Sequence, residues 1–395
     1  MEAFGEVRFF GLLIFLLIPA VILGLRAKNQ RYYILLSSLI AIAAMLQFKH
    51  IQLIYLAIYT LWQWVVIRSY LQYRLTLTKE ALAQVGRRAE RLYGLALVAS
   101  LMPLLISKTA GLFELSWFGF IGISYLTFRG LQLIIEMHDG LITQLKLIDF
   151  LCFMLFFASL SSGPIDRSRR FVTEMHRTKT RAEYIDVLGE GLYLLAQGMV
   201  YKFVLGDSLF LLFEKLHYID SKWLYSLVYA YVYGLYLFFD FAGYSLMVIG
   251  TAYFFGISMP ANFNKPFIAT DMKDFWNRWH MTLSYWFRDY IFSRLTIRWI
   301  KKKRFSSRLQ VAIAGYMVNM TVMGVWHGLS IDYIIYGVYH GILLALTEVM
   351  QKKWSWYKKH KNDRSVKLVG WLITLQLVMF GFLIFSGELR AIIRR

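Results

Sequence analysis

The chain has 395 residues, of which 58% are hydrophobic and 17% aromatic, and its formal net charge is +20. So large an apolar fraction exceeds that of an ordinary soluble domain and indicates helices in a lipid bilayer. The single cysteine, Cys152, excludes a disulfide framework and a cysteine-based zinc site.

Apolar segments follow one another along the whole chain. The twelve candidates are 9–25, 32–48, 51–67, 92–107, 112–135, 147–162, 188–213, 223–239, 243–257, 309–326, 331–350 and 367–386. Several are short or adjoin without a polar loop, so we expect an all-α, polytopic membrane helical bundle of about 11 spanning helices with further short or re-entrant helices. The absence of strand alternation, repeats and linker-like composition predicts one membrane domain over residues 1–395.

Charged loops predict the orientation. The first apolar segment lacks a small-x-small cleavage site and is expected to be a spanning helix, not a signal peptide. The basic loops 26–31 and 68–91 would be cytoplasmic, which places the N-terminus outside the cell membrane. A full span at 147–162 would then put the basic run 166–181 outside as well. We therefore expect 147–162 or a neighbour to be re-entrant.

Three basic clusters lie at 166–181, 298–308 and 352–364. In a soluble protein such charge suggests a nucleic-acid partner, but Lys and Arg collect in the cytoplasmic loops of membrane proteins. These clusters predict contact with anionic lipids and no nucleic acid. They are also compatible with an acidic protein partner on the same face.

The segment FWNRWHMTLSYWFRD, residues 275–289, mixes aromatic and ionisable residues. On one unbroken helix its polar residues form a stripe, comprising Asn277, His280, Ser284 and Arg288. Its aromatic residues form the neighbouring face, comprising Trp276, Trp279, Leu283, Trp286 and Phe287. The stripe either lines a cavity at membrane depth or lies among lipid headgroups on an interfacial amphipathic helix.

A second histidine segment, MGVWHGLSIDYIIYGVYHG, contains His327 between Gly324 and Gly328, where another helix or a ligand can approach closely. Either His327 or His340 could instead be a satisfied core histidine. Asp332 follows His327 by five residues, so the two residues face one another only if Gly328 breaks the helix. The segment has no metal-site spacing.

A third segment, GPIDRSRRF, begins with the turn signal Gly163-Pro164. Asp166 and the arginines that follow it, Arg167 first, could form a charge-paired loop or an ordinary cytoplasmic turn. No G-x-S-x-G elbow, Walker loop or dinucleotide fingerprint occurs, so a covalent serine or cysteine mechanism has no support.

The two histidine segments, with His280 placed 47 residues before His327, resemble the signature of the membrane-bound O-acyltransferase family. The GPIDRSRRF segment is similar to the branch of that family that D-alanylates teichoic acids. The specific motifs occupy residues 163–341, which would be the motif-bearing catalytic region. Residues 1–150 match only in hydropathy.

The resemblance implies a helical bundle around a reaction tunnel, with His327 as the general base and His280 as a positioning or oxyanion-stabilising partner. The implied tunnel residues are Asn277, Ser284, Trp276, Trp279 and Trp326. The implied donor is D-alanine held as a thioester on the phosphopantetheine arm of an acidic, cytoplasmic carrier protein. The acceptor would be lipoteichoic acid or an accessory membrane protein, and the chain itself would bind no cofactor and no metal.

Three other functions remain open. O-acetylation of an exopolysaccharide, as in alginate, differs from D-alanyl transfer in its dependence on the carrier. A transporter or flippase for a lipid-linked or amino-acid substrate would move its substrate without forming an ester. A non-enzymatic scaffold would show no turnover with the carrier.

Overall fold

All regular secondary structure is helical in the computed structural model, which describes residues 3–76, 86–110, 119–216 and 218–394. This confirms the all-α prediction. The first residues of the predicted segment 112–135 lie outside these described ranges. Part of the predicted basic loop 68–91 also lies outside them. The chain forms two compact units, Met1–Gln197 with Tyr244–Pro260 and Gly198–Gly243 with Ala261–Arg395.

The first unit contains most of the N-terminal helices. They are α1 (Val7–Leu25), α2 (Arg31–Met45), α3 (His50–Thr76), α4 (Gly86–Ala110), α5 (Ile123–His138), α6 (Leu147–Leu155), α7 (Ser168–His176) and most of α8 (Arg181–Met199).

The second unit contains the histidine segments. Its helices are α9 (Asp207–Leu216), the first part of α10 (Lys222–Phe254), α11 (Met272–Trp276), α12 (Met281–Phe287), α13 (Ser293–Lys301), α14 (Arg308–His327), α15 (Ile331–Lys353), α16 (Ser355–His360), α17 (Arg364–Phe385) and α18 (Glu388–Arg394). Short π-helical turns occupy Val200–Gly206 and Arg288–Phe292.

Eight helices of the described ranges are long and apolar enough to cross a membrane, which confirms the polytopic prediction. They are α1, α3, α4, α8 continued through α9, α10, α14, α15 and α17. Helix α2 is apolar but shorter. The orientation of the N-terminus stays a prediction.

The segment 147–162 is not one spanning helix. Helix α6 has nine residues and ends at Leu155, so it is too short to cross a bilayer. The buried guanidinium of Arg129 donates hydrogen bonds to the carbonyl oxygens of Phe153, Met154 and Ser159 at 2.6–2.8 Å. These contacts supply the partners that the backbone loses where the helix stops. The break agrees with the expectation that this segment does not span the membrane as a simple helix.

The loop after this break is charge-paired, as the sequence suggested. The Asp166 carboxylate accepts hydrogen bonds from Nε and Nη2 of Arg170 at 2.8 and 2.7 Å, and from the backbone N–H of Arg167 at 2.6 Å. Burial raises the pKa of Asp166 to about 6, although Arg170 and Arg129 act in the opposite direction. The loop therefore depends on arginine pairing to keep this carboxylate ionised.

The prediction of separate segments at 223–239 and 243–257 was wrong, because both belong to the single 33-residue helix α10. No proline or polar loop interrupts the sequence between them. Gly243 lies inside α10 at a close contact, where an added Cβ would meet the backbone N of Lys202 at 2.6 Å. One turn earlier, Asp240 forms an ion pair with the Lys202 ammonium, so a charged residue is tolerated inside the helix.

Helices α14 and α15 form a tightly packed hairpin. A Cβ added to Gly324 would lie 2.3 Å from the carbonyl oxygen of Tyr333, and one added to Gly337 would lie 2.5 Å from that of Met320. Small residues allow such close backbone approach between helices. The hairpin fixes the position of His327, which ends α14.

Candidate active site

The FWNRWH segment does not continue as one helix. Helix α11 begins after Asp271, whose carboxylate caps the backbone N–H groups of Lys273 and Asp274 at 2.9 Å, and it ends at Trp276. His280 then adopts a left-handed conformation with φ 42° before α12 begins. The prediction of an unbroken helix over 275–289 was therefore wrong.

Hydrogen bonds to a neighbouring loop explain this break. The backbone N–H of Met281 donates to the carbonyl oxygen of Asn262 at 2.8 Å, and the N–H of Asn264 donates to that of Arg278 at 2.9 Å. These bonds replace helical partners around His280. Since they come from residues more than ten positions away in the chain, no helical periodicity in 275–289 could indicate them.

His280 is buried beside Asn262. Its Nδ1 lies 3.3 Å from the Asn262 Oδ1, which also accepts a hydrogen bond from the Thr282 hydroxyl. The ring of Phe241 lies 4.8 Å from the His280 ring. These contacts hold the His280 imidazole in one place and make Asn262 and Phe241 site residues that the sequence prediction missed.

The predicted polar stripe and aromatic face are each divided by the break. Asn277, Ser284 and Arg288 of the stripe line one cavity together with Trp276. His280 and Trp279 lie away from that cavity. Trp279 packs instead against Phe263 at 5.1 Å and Phe382 at 4.9 Å between ring centroids. The structure therefore brings Asn277, Ser284, Arg288 and Trp276 together and separates them from His280 and Trp279.

The cavity has a volume of about 250 Å³ and follows helix α14. Its other lining residues are Lys273, Tyr285, Phe292, Tyr316, Asn319, Met320, Met323 and Leu344. From Tyr316 to Met323 the helix rises about 10 Å, and Met323 lies one turn before His327. The cavity therefore leads along α14 toward His327.

Two buried polar atoms of this lining lack a hydrogen-bond partner among the described residues. They are the indole Nε1 of Trp276, a donor, and the amide Oδ1 of Asn319, an acceptor. Leaving such an atom unpaired costs about 1–3 kcal/mol. A ligand that carries both an acceptor and a donor would remove this cost. Asn319 was not predicted, although a lone amide in an apolar span is a signal of function.

Basic side chains lie at the cavity as well. The Lys273 ammonium pairs with Glu348 and donates to the Gln351 Oε1 at 2.7 Å. The Arg288 guanidinium lies 4.4 Å from the ring centroid of Tyr285 and donates to Asp289 at 3.1 Å. Both cations are therefore already paired with carboxylates of the chain.

His327 is half-buried at the end of α14, where Gly328 continues in extended backbone with φ 177°. Its ring centroid lies 4.7 Å from that of Trp326 and 5.1 Å from that of Phe385. Asp332 could face His327 only if the helix were broken at Gly328, and the structure has this break. The Asp332 carboxylate, however, forms a 2.8 Å ion pair with Arg390.

His340 has the surroundings of a core residue. It is 1% exposed, and neither ring nitrogen has a hydrogen-bond partner among the described residues. Its ring packs against Tyr336 at 4.5 Å and Trp276 at 5.3 Å. Asp166 and Arg167, the predicted loop residues, belong to the first unit, whereas the histidines belong to the second. In the described part of the chain, no three His, Cys, Asp or Glu residues are grouped to hold a metal.

The model of the MBOAT family, membrane-bound O-acyltransferases, matches residues 87–386. The chain belongs to this family. It is therefore a membrane-bound acyltransferase, and the match includes His280, His327 and the cavity between α11 and α15.

Two teichoic acid D-alanyltransferases are similar to this acyltransferase over nearly its whole length. It is 41% identical to the teichoic acid D-alanyltransferase of Bacillus subtilis (strain 168), over 98% of both chains. It is 37% identical to the enzyme of the same name from Streptococcus thermophilus, over 98% of this chain and 96% of that protein. The probable alginate O-acetylase of Pseudomonas aeruginosa is 32% identical over 68% of this acyltransferase and 49% of its own length.

Proposed function

We propose that this acyltransferase takes D-alanine from the phosphopantetheine thioester of a cytoplasmic carrier protein for O-esterification of lipoteichoic acid, with His327 as general base. The observation that carries the proposal is the cavity along α14, which leads toward His327 and contains an unpaired donor and an unpaired acceptor. The full-length relatives named teichoic acid D-alanyltransferase support the choice of acyl group and acceptor.

The cavity suits a phosphopantetheine arm, which is long and thin and carries two amides and a phosphate. Trp276 Nε1 would donate to an amide carbonyl, and Asn319 Oδ1 would accept from an amide N–H. Lys273 and Arg288 line the same cavity and carry N–H groups that can donate to the phosphate oxygens. Asn277 and Ser284 line the same cavity and supply further polar contacts. The arm would come from the carrier, so the chain itself needs to bind no separate cofactor.

The chemistry at His327 is a direct acyl transfer. The acceptor hydroxyl oxygen attacks the thioester carbonyl carbon while the His327 imidazole takes the hydroxyl proton. The C–S bond then breaks, and the proton passes from His327 to the leaving thiolate. His280 positions the reacting groups or stabilises the oxyanion, and Trp326 packs against the His327 ring. Neither a metal ion nor a covalent enzyme intermediate is required.

The polar atoms of the cavity make a first testable prediction. Trp276→Phe and Asn319→Leu should each raise the KM for D-alanyl carrier about tenfold, because an amide of the arm loses its buried partner. The matched control is Trp223→Phe, since Trp223 is 88% exposed and lies outside the cavity. Steady-state kinetics with carrier, and separately with free D-alanyl-pantetheine, measure the effect. Unchanged KM values for both substrates would contradict this use of the cavity.

Helix α13 is the surface that best fits an acidic carrier. Ile297 and Ile300 are 51% and 47% exposed, and Arg298 and Lys301 lie beside them in the last turn. The basic run continues to residue 308. In such an interface the cationic rim attracts an acidic partner, and the apolar side chains at its centre stabilise the complex once they are buried. The other basic clusters would contact anionic lipids.

A negative charge introduced on α13 should weaken carrier binding without affecting the acyl-transfer reaction. Ile297→Asp and Ile300→Asp should each weaken carrier binding more than tenfold, since they place a carboxylate in an apolar contact and repel an acidic partner. Transfer from free D-alanyl-pantetheine should persist. Ile393→Asp is the control, because Ile393 is 75% exposed on α18. Carrier affinity is measured by surface plasmon resonance. An unchanged affinity in both α13 variants would mean that the carrier binds to another surface.

One reconstitution tests the function itself. Purified protein in liposomes with lipoteichoic acid, or with membranes that contain an accessory acceptor protein, receives carrier loaded with radiolabelled D-alanine. We expect label to leave the carrier and to appear as an alkali-labile ester. Transfer from an acetyl donor but not from the D-alanyl carrier would favour O-acetylation instead. Movement of free D-alanine without ester formation would favour a transporter.

A further inference from the structure

The His327 ring is surrounded by aromatic rings. The centroids of Trp326, Phe385, Tyr333 and Tyr336 lie 4.7, 5.1, 6.1 and 6.4 Å from its own. Phe385 connects the set, because its centroid lies 5.0 Å from those of both Tyr333 and Tyr336. His327, Tyr333 and Phe385 remain partly exposed. In this cluster, called the His327 aromatic pocket, the rings of Tyr333 and Phe385 are therefore the ones that a small group beside His327 can reach.

Two glycines allow the backbone to place the Tyr333 ring beside His327. A Cβ added to Gly328 would lie 2.6 Å from the Tyr333 ring, and a Cβ on Gly324 would lie 2.3 Å from the Tyr333 carbonyl. Only glycine at both positions allows the start of α15 to fold back over the end of α14. The close packing thus positions the Tyr333 ring beside His327.

An alanyl group differs from a propionyl group by its α-ammonium alone. That cation is bonded to the carbon next to the carbonyl carbon that the acceptor attacks, so it must lie near His327 when the reaction occurs. Asp332 is the carboxylate closest to His327 in sequence, and its charge is already paired with Arg390 at 2.8 Å. Aromatic faces attract a cation whose distance from the ring centroid is within about 6 Å. A cation held between His327 and the rings of Tyr333 and Phe385, whose centroids lie 6.1 and 5.1 Å from that of His327, would lie within this distance.

We propose that the rings of Phe385 and Tyr333 bind the α-ammonium of the alanyl group and so select a charged acyl group over a neutral one of the same size. This inference rests on the proposed D-alanyl transfer. It assigns the selectivity of that transfer to rings of α15 and α17 and not to a carboxylate. The alginate relative is named an acetylase, and an acetyl group carries no ammonium that would need such a pocket.

The test compares two donors on the same carrier: D-alanyl-phosphopantetheine and propionyl-phosphopantetheine, which lacks only the amino group. We expect the wild-type protein to prefer D-alanyl by its ratio of kcat/KM values. Phe385→Leu, which keeps apolar bulk but removes a ring face, should lower this ratio about tenfold, and Phe385→Tyr should restore it. Tyr333→Leu should lower the ratio, whereas Tyr333→Phe should not. The control is Phe380→Leu, because Phe380 lies on the same helix and packs against Tyr339.

The outcomes separate the inference from the proposed function. A ratio that falls in Phe385→Leu and Tyr333→Leu and recovers with an aromatic substitute supports ammonium binding. Equal losses for both donors would show a structural role for the rings and would overturn the inference while leaving D-alanyl transfer intact. A wild-type protein without preference for D-alanyl would overturn it too. Wild-type protein that transfers neither acyl group would refute the proposed function, and the inference with it.

Discussion

His327→Ala protein should transfer D-alanine about 10³-fold more slowly than wild type, because the acceptor hydroxyl loses the base that takes its proton. The measurement is the initial rate of ester formation from saturating D-alanyl carrier. His360→Ala provides the matched control, since His360 lies on helix α16 and its Nδ1 forms a hydrogen bond within that helix, at the Trp356 carbonyl oxygen. Its rate should equal that of wild type.

Carrier affinity distinguishes lost chemistry from lost folding in this variant. Helix α13, which we propose as the carrier surface, is separated from His327 by most of helix α14. Binding of the carrier to His327→Ala protein should therefore stay within about twofold of wild type. A variant that binds the carrier and still transfers D-alanine at the wild-type rate would remove His327 from the mechanism.

Gly324→Ala and Gly337→Ala should each destabilise the protein by about 2–3 kcal/mol or more, because the new methyl group meets a backbone carbonyl oxygen that cannot move aside. The methyl carbon would lie 2.3 Å from the Tyr333 oxygen in the first variant and 2.5 Å from the Met320 oxygen in the second. Thermal unfolding in detergent should show Tm values lower by roughly 5 °C or more. Transfer activity should fall as well, since the α14–α15 hairpin carries His327.

Gly189→Ala is the control for these two variants. Gly189 lies on helix α8, and an added Cβ would meet no heavy atom within 4 Å. Its Tm should be unchanged or slightly higher, because alanine is a better helix former than glycine. Equal Tm values for Gly324→Ala, Gly337→Ala and Gly189→Ala would contradict the close packing of the hairpin.

The sequence predicted the parts of the site that depend on composition and local pattern. The charge of 166–181 indicated that 147–162 or a neighbouring segment is not a simple span, and helix α6 ends at Leu155. The glycines around His327 indicated a close approach, which the α14–α15 hairpin shows. These predictions succeeded because charge asymmetry and small residues act through general membrane physics, independent of which helix becomes the neighbour.

The sequence could not predict features that depend on distant hydrogen bonds. The break at His280 is made by the backbone of Asn262 and Asn264, and the break after α6 is held by Arg129. A helical wheel does not include such partners, so it placed His280 in one stripe with Asn277 and Ser284, whereas in the structure only the latter two line the cavity. An arginine inside the apolar segment 112–135 was a usable signal, because a buried charge in a membrane protein needs a specific partner.

The most direct measurement is a structure of the protein with its carrier, the arm of which holds D-alanine through an amide in place of the thioester. We expect the arm to occupy the α14 cavity, with its amides at Trp276 and Asn319 and the alanyl carbonyl carbon beside His327. An arm bound outside this cavity, or an alanyl group held away from His327, would contradict the proposed mechanism.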